Sequence, residues 1–174
     1  MSNYDWASTF SELYDRCVSR YQSGDEDFEG YYTDSDREFL KSIGYKPREL
    51  FDFVEDYCDY GEPGPSTAAL IAHVRRNYLR LEMGGVKSDL EIQNSDLPDR
   101  DAELGGIPWL PRIITKAHGK LRGELDPDVM FSCGGDRKFL RGHDIAPADF
   151  LIAVRGAGED DNKILEFVRS QNKS

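Results

Sequence analysis

Several side chains have the types and spacing to do chemistry. Arg112, Lys116 and Lys120 recur every four residues, which sets them in a cationic row along one face of a helix. Such a row can hold a carboxylate or a phosphate. Arg112 is its strongest member, because a guanidinium fork meets either anion bidentately. Cys133 comes directly before Gly134, Gly135 and a helix start. There, unpaired amides and the helix dipole favour an anion or a thiolate, and the glycines let a ligand approach the backbone. Asp136 and Arg137 follow in the same CGGDR turn, with Asp136 cast as a positioner. His118 would act as a base if folding brought it beside Cys133. The candidate ligand-binding set is therefore Arg112, Lys116, His118, Cys133, Asp136 and Arg137. A plainer reading competes at each position: a solvated helix face or salt bridges to Asp136, a thiol used as a small buried hydrophobe, a structural histidine, and an aspartate favouring a helix N-terminus beside a locally paired arginine.

Other chemistries lack their motifs. The three histidines, at 73, 118 and 143, show neither i, i+4 nor HxH spacing, so no metal site is expected. There is no P-loop, no GxGxxG after a strand, no GxSxG elbow and no HExxH, and no cofactor is expected. Cysteines at 17, 58 and 133 form no CxxC pair and no disulfide framework, which suits a reducing compartment.

The elements that must position these groups belong to a chain of 174 residues, 39% hydrophobic and 11% aromatic, long enough for a real core and too aromatic for overall disorder. No apolar run approaches the length that spans a bilayer, and the first ten residues lack the pattern of a secretory signal, so a cytoplasmic protein is expected. The net charge of −11 disfavours nucleic acid or an anionic membrane as a general partner. It is uneven: −8 over residues 1–83, −4 over 84–108 and +1 over 109–174.

An internal repeat supplies the architecture. Residues 31–54 lie over 131–154 without gaps, matching Asp36, Arg37, Phe39, Leu40, Pro47 and Val54 to Asp136, Arg137, Phe139, Leu140, Pro147 and Val154. The same offset of 100 sets Phe10, Tyr14, Cys17 and Tyr21 over Leu110, Ile114, Ala117 and Leu121, an apolar stripe at helical spacing. Each copy reads as four helices. The first runs near Tyr4–Gln22, with its counterpart near Pro108–Arg122. The second opens at Ser35 with Glu38 three residues on, or after Gly134 and Gly135. The third begins at Pro47 or Pro147, and the fourth after Ser66 or near Asp160. Trp6 and Trp109 are expected to anchor the two first helices. No stretch alternates in the manner of a strand, and residues 83–107 read as the connection between copies.

The run LGGIPWLPRIITKAHGKLRGEL followed by FSCGGDRKFL resembles the bacterial family called domain of unknown function 5069. Leu104, Gly105, Gly106, Leu110, Pro111, Arg112, Lys116, Cys133, Asp136, Phe139 and Leu140 match its pattern. Thr115 and His118 stand where the family usually carries an acid and an arginine. The likeness covers about residues 97–169, with the first copy degenerate and Thr33 in place of the cysteine. It implies the fold and a bacterial source, and no reaction.

The sequence thus predicts an all-α protein of duplicated four-helix units, 1–82 and 108–174 with 83–107 between them, packed as one compact helical domain about a pseudo-twofold axis. Its expected function is recognition of a small anionic molecule where the 109–122 helix meets the CGGDR turn, with catalysis left open. The alternative is a non-enzymatic acidic module that engages a basic protein.

Overall fold

A computed structural model describes residues 3–171 of the chain. It is all-α: eight α-helices and a single two-stranded hairpin among the described residues. The chain divides into two units, the first ending at Asn77 and the second beginning at Tyr78.

In the first unit, α1 (Trp6–Gln22) buries Phe10, Leu13, Tyr14 and Cys17 on one face. That face lies against α3 (Pro47–Tyr60), which contributes Leu50, Phe53 and Val54. The Tyr14 hydroxyl donates to the carbonyls of Phe53 and Pro63, so an aromatic residue can be buried there with its polar tip satisfied. Between these helices, a short 3-10 turn (Phe28–Tyr31) and α2 (Asp34–Ser42) carry Tyr31, Phe39 and Leu40 inward. Thr33, and not Ser35, caps α2. Its Oγ1 accepts from the Asp36 amide at 3.2 Å, and Asp36 Oδ2 accepts from the Thr33 amide at 2.8 Å. The expected capping box is therefore displaced by two residues, because Thr33 with Asp36 satisfies the same reciprocal geometry that Ser35 with Glu38 offered. The last helix, α4 (Pro65–Leu81), contains the boundary between units.

Past the end of α4, the second unit continues with the stretch expected to be a connection. Residues 83–107 belong to this unit and are tied to it locally. The Ile92 amide donates to the Glu124 carbonyl and the Asp126 amide to the Ile92 carbonyl, forming a parallel bridge, and Leu97 is buried. Strands β1 (Glu103–Leu104) and β2 (Ile107–Pro108) pair antiparallel across Gly105 and Gly106, both with positive φ, the arrangement that a two-residue hairpin demands. This strand pair had no alternating signal because it is only two residues long on each side.

Helix α5 (Leu110–Arg122) follows at once and buries Leu110, Ile113, Ile114, Ala117 and Leu121. It lies against α7 (Pro147–Ala157), which in turn contacts α8 (Asp161–Gln171). Helix α6 (Gly134–Gly142) sits between α5 and α7 in sequence and carries the CGGDR turn at its start. Helices α2 and α6 each have nine residues and start at 34 and 134, while α3 and α7 start at 47 and 147. No helix among the described residues is long and apolar enough to cross a membrane.

Candidate functional site

Two backbone features set the geometry around α5 and α6. Trp109 takes a left-handed conformation, φ 70°, which turns the chain from β2 into α5. Ser132 does the same at φ 68° before α6. Neither is glycine, so each conformation must be imposed by its surroundings. For Ser132 the restraints are visible: its amide donates to Asp136 Oδ2 at 3.0 Å, and its carbonyl accepts from Arg137 Nη1 at 2.7 Å.

Asp136 is fully buried and is the hub of the turn. Its Oδ2 also receives Lys116 Nζ at 2.5 Å, and its Oδ1 receives Trp109 Nε1 at 3.0 Å. Lys116 is 3% exposed and reaches one further atom, Cys133 Sγ, at 3.2 Å. Taking two charges out of water is costly, and the cost is offset only where the remaining hydrogen-bonding positions are filled. Here the carboxylate has three donors and the ammonium two acceptors. Lys116, Cys133, Asp136 and Arg137 are thus brought together, with α5 supplying the cation and the α6 turn the rest. Cys133 is the half-buried N-cap of α6, and its thiol makes no capping hydrogen bond.

Arg112 lies nearby but is committed elsewhere. Its Nη1 donates to the Pro98 carbonyl at 2.8 Å, its Nη2 to Asn94 Oδ1 at 2.7 Å, and its guanidinium stands 5.8 Å from the Trp109 ring centre. The fork expected to clasp an anion instead ties the 94–98 segment to α5. Arg137 likewise donates to a backbone carbonyl, as Arg37 does to that of Glu29. His118 is not joined to Cys133 by any hydrogen bond among the described residues. It is half-buried on α5, where burial pushes its imidazole below the usual value and Arg122 presses the same way, against the opposing charges of Glu159, Asp161 and Glu124.

Beside this hub lies a cleft of about 560 Å³ that the residue-by-residue reading missed. Trp109, Phe139 and His143 present rings to it, Ile107 and Pro108 extend its apolar wall, and Gly106, Gly135 and Gly142 leave its surface bare. Gly135 is required there: a Cβ would fall 2.6 Å from Trp109 Cζ2. Asp136 fixes the indole from the other side through Nε1, so the hub positions the cleft wall. Phe139 and His143 lie with ring centres 4.6 Å apart. Arg100 and Lys138, both exposed, complete the lining, and neither side chain has a hydrogen bond or a carboxylate partner among the described residues. The available signal was the i, i+4 spacing of Phe139 and His143 on a helix opened by two glycines. Phe39 is 1% exposed, whereas its counterpart Phe139 is half-buried.

No cluster of histidine, cysteine and carboxylate side chains suited to a metal occurs among the described residues. Comparison with family models, with curated proteins and with solved structures produced no match to this chain.

Proposed function

We propose that the second unit recognises a small anionic molecule, held in the cleft between Trp109 and the α6 face. The observation that carries this reading is the pairing of two cations with no acidic partner among the described residues, Arg100 and Lys138, with an apolar cleft of about 560 Å³, in a chain whose net charge is −11. Pockets of this size and character are the usual sites for small ligands, where a few polar groups on an apolar wall set orientation. Relative to the sequence expectation, the anion moves from Arg112 and Lys116 to Arg100 and Lys138. The buried hub of Lys116, Cys133 and Asp136 becomes the support that holds the indole.

The same proposal treats the chain as a duplicated unit of bacterial, cytoplasmic origin, related to the family that residues 97–169 resemble. The equal helix starts at an offset of 100 support the duplication, as do the matching pairs Arg16–Asp36 and Lys116–Asp136. A second reading, an acidic module for a basic protein partner, draws on Val86 and Leu90, each 71% exposed within the acidic 84–108 stretch.

Thermal-shift screening of carboxylates and phosphates separates the two readings. Anions should raise the Tm of the wild type, and the double variant Arg100→Gln, Lys138→Gln should lose that rise while its own Tm without ligand stays within a few degrees. Stabilisation that survives in the double variant, or none in the wild type, turns the assignment to the interaction module.

A further inference from the structure

We infer that the ligand of this cleft is a planar aromatic acid: a ring system of one or two fused rings bearing a carboxylate or a phosphate. The inference rests on the anion reading above and adds the chemistry of the ligand's body. Three of the side chains that face the cleft are rings, Trp109, Phe139 and His143, and they come from two different elements, the α5 entry and the α6 face. Ring surfaces brought together in this way favour offset or edge-on contact with another ring over contact with a flexible chain. The orientation of the indole is fixed independently of any ligand. Asp136 holds Nε1 at 3.0 Å, and the indole packs so closely on Gly135 that a Cβ there would fall 2.6 Å from Cζ2. A wall positioned before binding lowers the ordering cost of binding, and a flat rigid ligand gains most from it.

Size and charge narrow the class. A cleft of about 560 Å³ is far larger than an inorganic phosphate or acetate needs and suits a molecule of drug-like dimensions. Arg100 and Lys138 line the same cleft as the rings, so one molecule can place its ring on the aromatic wall and its anionic group between the cations. The carboxylate and phosphate versions share this chemistry, and paired probes tell them apart.

Gly142 provides a clean way to close the cleft. It is the last residue of α6, it lines the cleft, and a Cβ added to it meets nothing within 4 Å. A leucine there adds bulk at a residue that lines the cleft without displacing any neighbour.

The test uses the full chain carrying Trp6→Phe, which leaves Trp109 as the sole indole reporter. Calorimetry compares indole-3-acetate, indole-3-acetamide, cyclohexylacetate, phenyl phosphate and inorganic phosphate, and Trp109 fluorescence follows the three probes that carry no indole of their own. Indole-3-acetate or phenyl phosphate should bind, cyclohexylacetate at least about tenfold more weakly, the amide at least about tenfold more weakly, and Gly142→Leu should abolish binding with an unchanged circular dichroism spectrum. Equal binding of cyclohexylacetate overturns the aromatic inference and leaves the anion reading standing. Equal binding of the amide overturns the anion reading. Binding that persists in Gly142→Leu, or no binding of any ring acid, overturns the inference, and response to inorganic phosphate alone keeps only the anion reading.

Discussion

Lys116 and Asp136 form an ion pair at 2.5 Å in which the two side chains are 4% and 0% exposed, while Arg16 and Asp36, one hundred positions earlier, form a pair of the same length with side chains 48% and 14% exposed. The same contact is therefore made in two environments, one dry and one at the surface. In the second unit it also carries the indole of Trp109, which makes the pair part of the cleft wall as well as of the scaffold.

The two aspartates should consequently differ in what they contribute. Asp136→Ala leaves a buried ammonium without its partner and should cost about 3–5 kcal/mol. Asp36→Ala removes a cap and a partly exposed pair and should cost about 1 kcal/mol. Urea unfolding checks this, with Trp6 and Trp109 reporting on their own units. Equal losses would mean that burial does not distinguish the pairs.

Arg112→Ala should detach a segment more than it weakens a ligand site. The loss of two charge-assisted hydrogen bonds, to Pro98 and Asn94, is worth about 1.5–3 kcal/mol each at most, and less at this half-exposed position. Hydrogen exchange should accelerate across residues 92–98 and stay unchanged in α7. Uniform protection would show that the segment is held by Leu97 and the Ile92 bridge alone.

The three thiols offer a built-in comparison. Burial pushes Cys17 up to about 11, and burial together with Asp59 raises Cys58, whereas Cys133 accepts a hydrogen bond from the Lys116 ammonium. A half-buried thiol next to a cation reacts faster with disulfide reagents than one beside a carboxylate or one fully buried. Labelling of the folded protein followed by peptide mass analysis should find Cys133 modified first and Cys17 last. Modification of Cys58 ahead of Cys133 would contradict the contact with Lys116.

Acidification should expose the burial of His118. Its folded imidazole is pushed below the ordinary value of 6.5, so the unfolded chain binds the proton more readily. The stability it contributes is complete above the unfolded value and is lost as pH falls through the folded one. Between about pH 7.5 and about pH 5.5, the Tm of the wild type should fall more than that of His118→Gln. Parallel curves would mean that Glu159, Asp161 and Glu124 offset the desolvation of the ring.

The helices were legible because their signals are local. The stripe from Leu110 to Leu121 is buried throughout, and Pro47 and Pro147 open their helices where a proline with no amide hydrogen is favoured. Asp136 stands in the turn where the sequence put it, and the competing salt-bridge reading of the cationic row fits the Lys116–Asp136 pair. The cleft was not legible, because it joins Arg100, Trp109 and Lys138 across 38 positions through a hairpin too short to show alternation. Arg112 was expected to face an anion, and its donors meet Pro98 and Asn94. Its chemistry suits an anion, but backbone carbonyls of a folded loop serve the same donors, and no spacing rule reveals where a loop will pass.

The most direct test of the account is a two-dimensional ¹H–¹⁵N NMR titration of the full chain with a ring carboxylate such as indole-3-acetate. The account predicts shifts at the Trp109 indole N–H and at the amides of Gly106, Gly135, Lys138 and Gly142, with the Trp6 indole and the Gly44 amide unmoved. Perturbations centred on α1 to α3, or a spectrum that does not change at millimolar ligand, would contradict it.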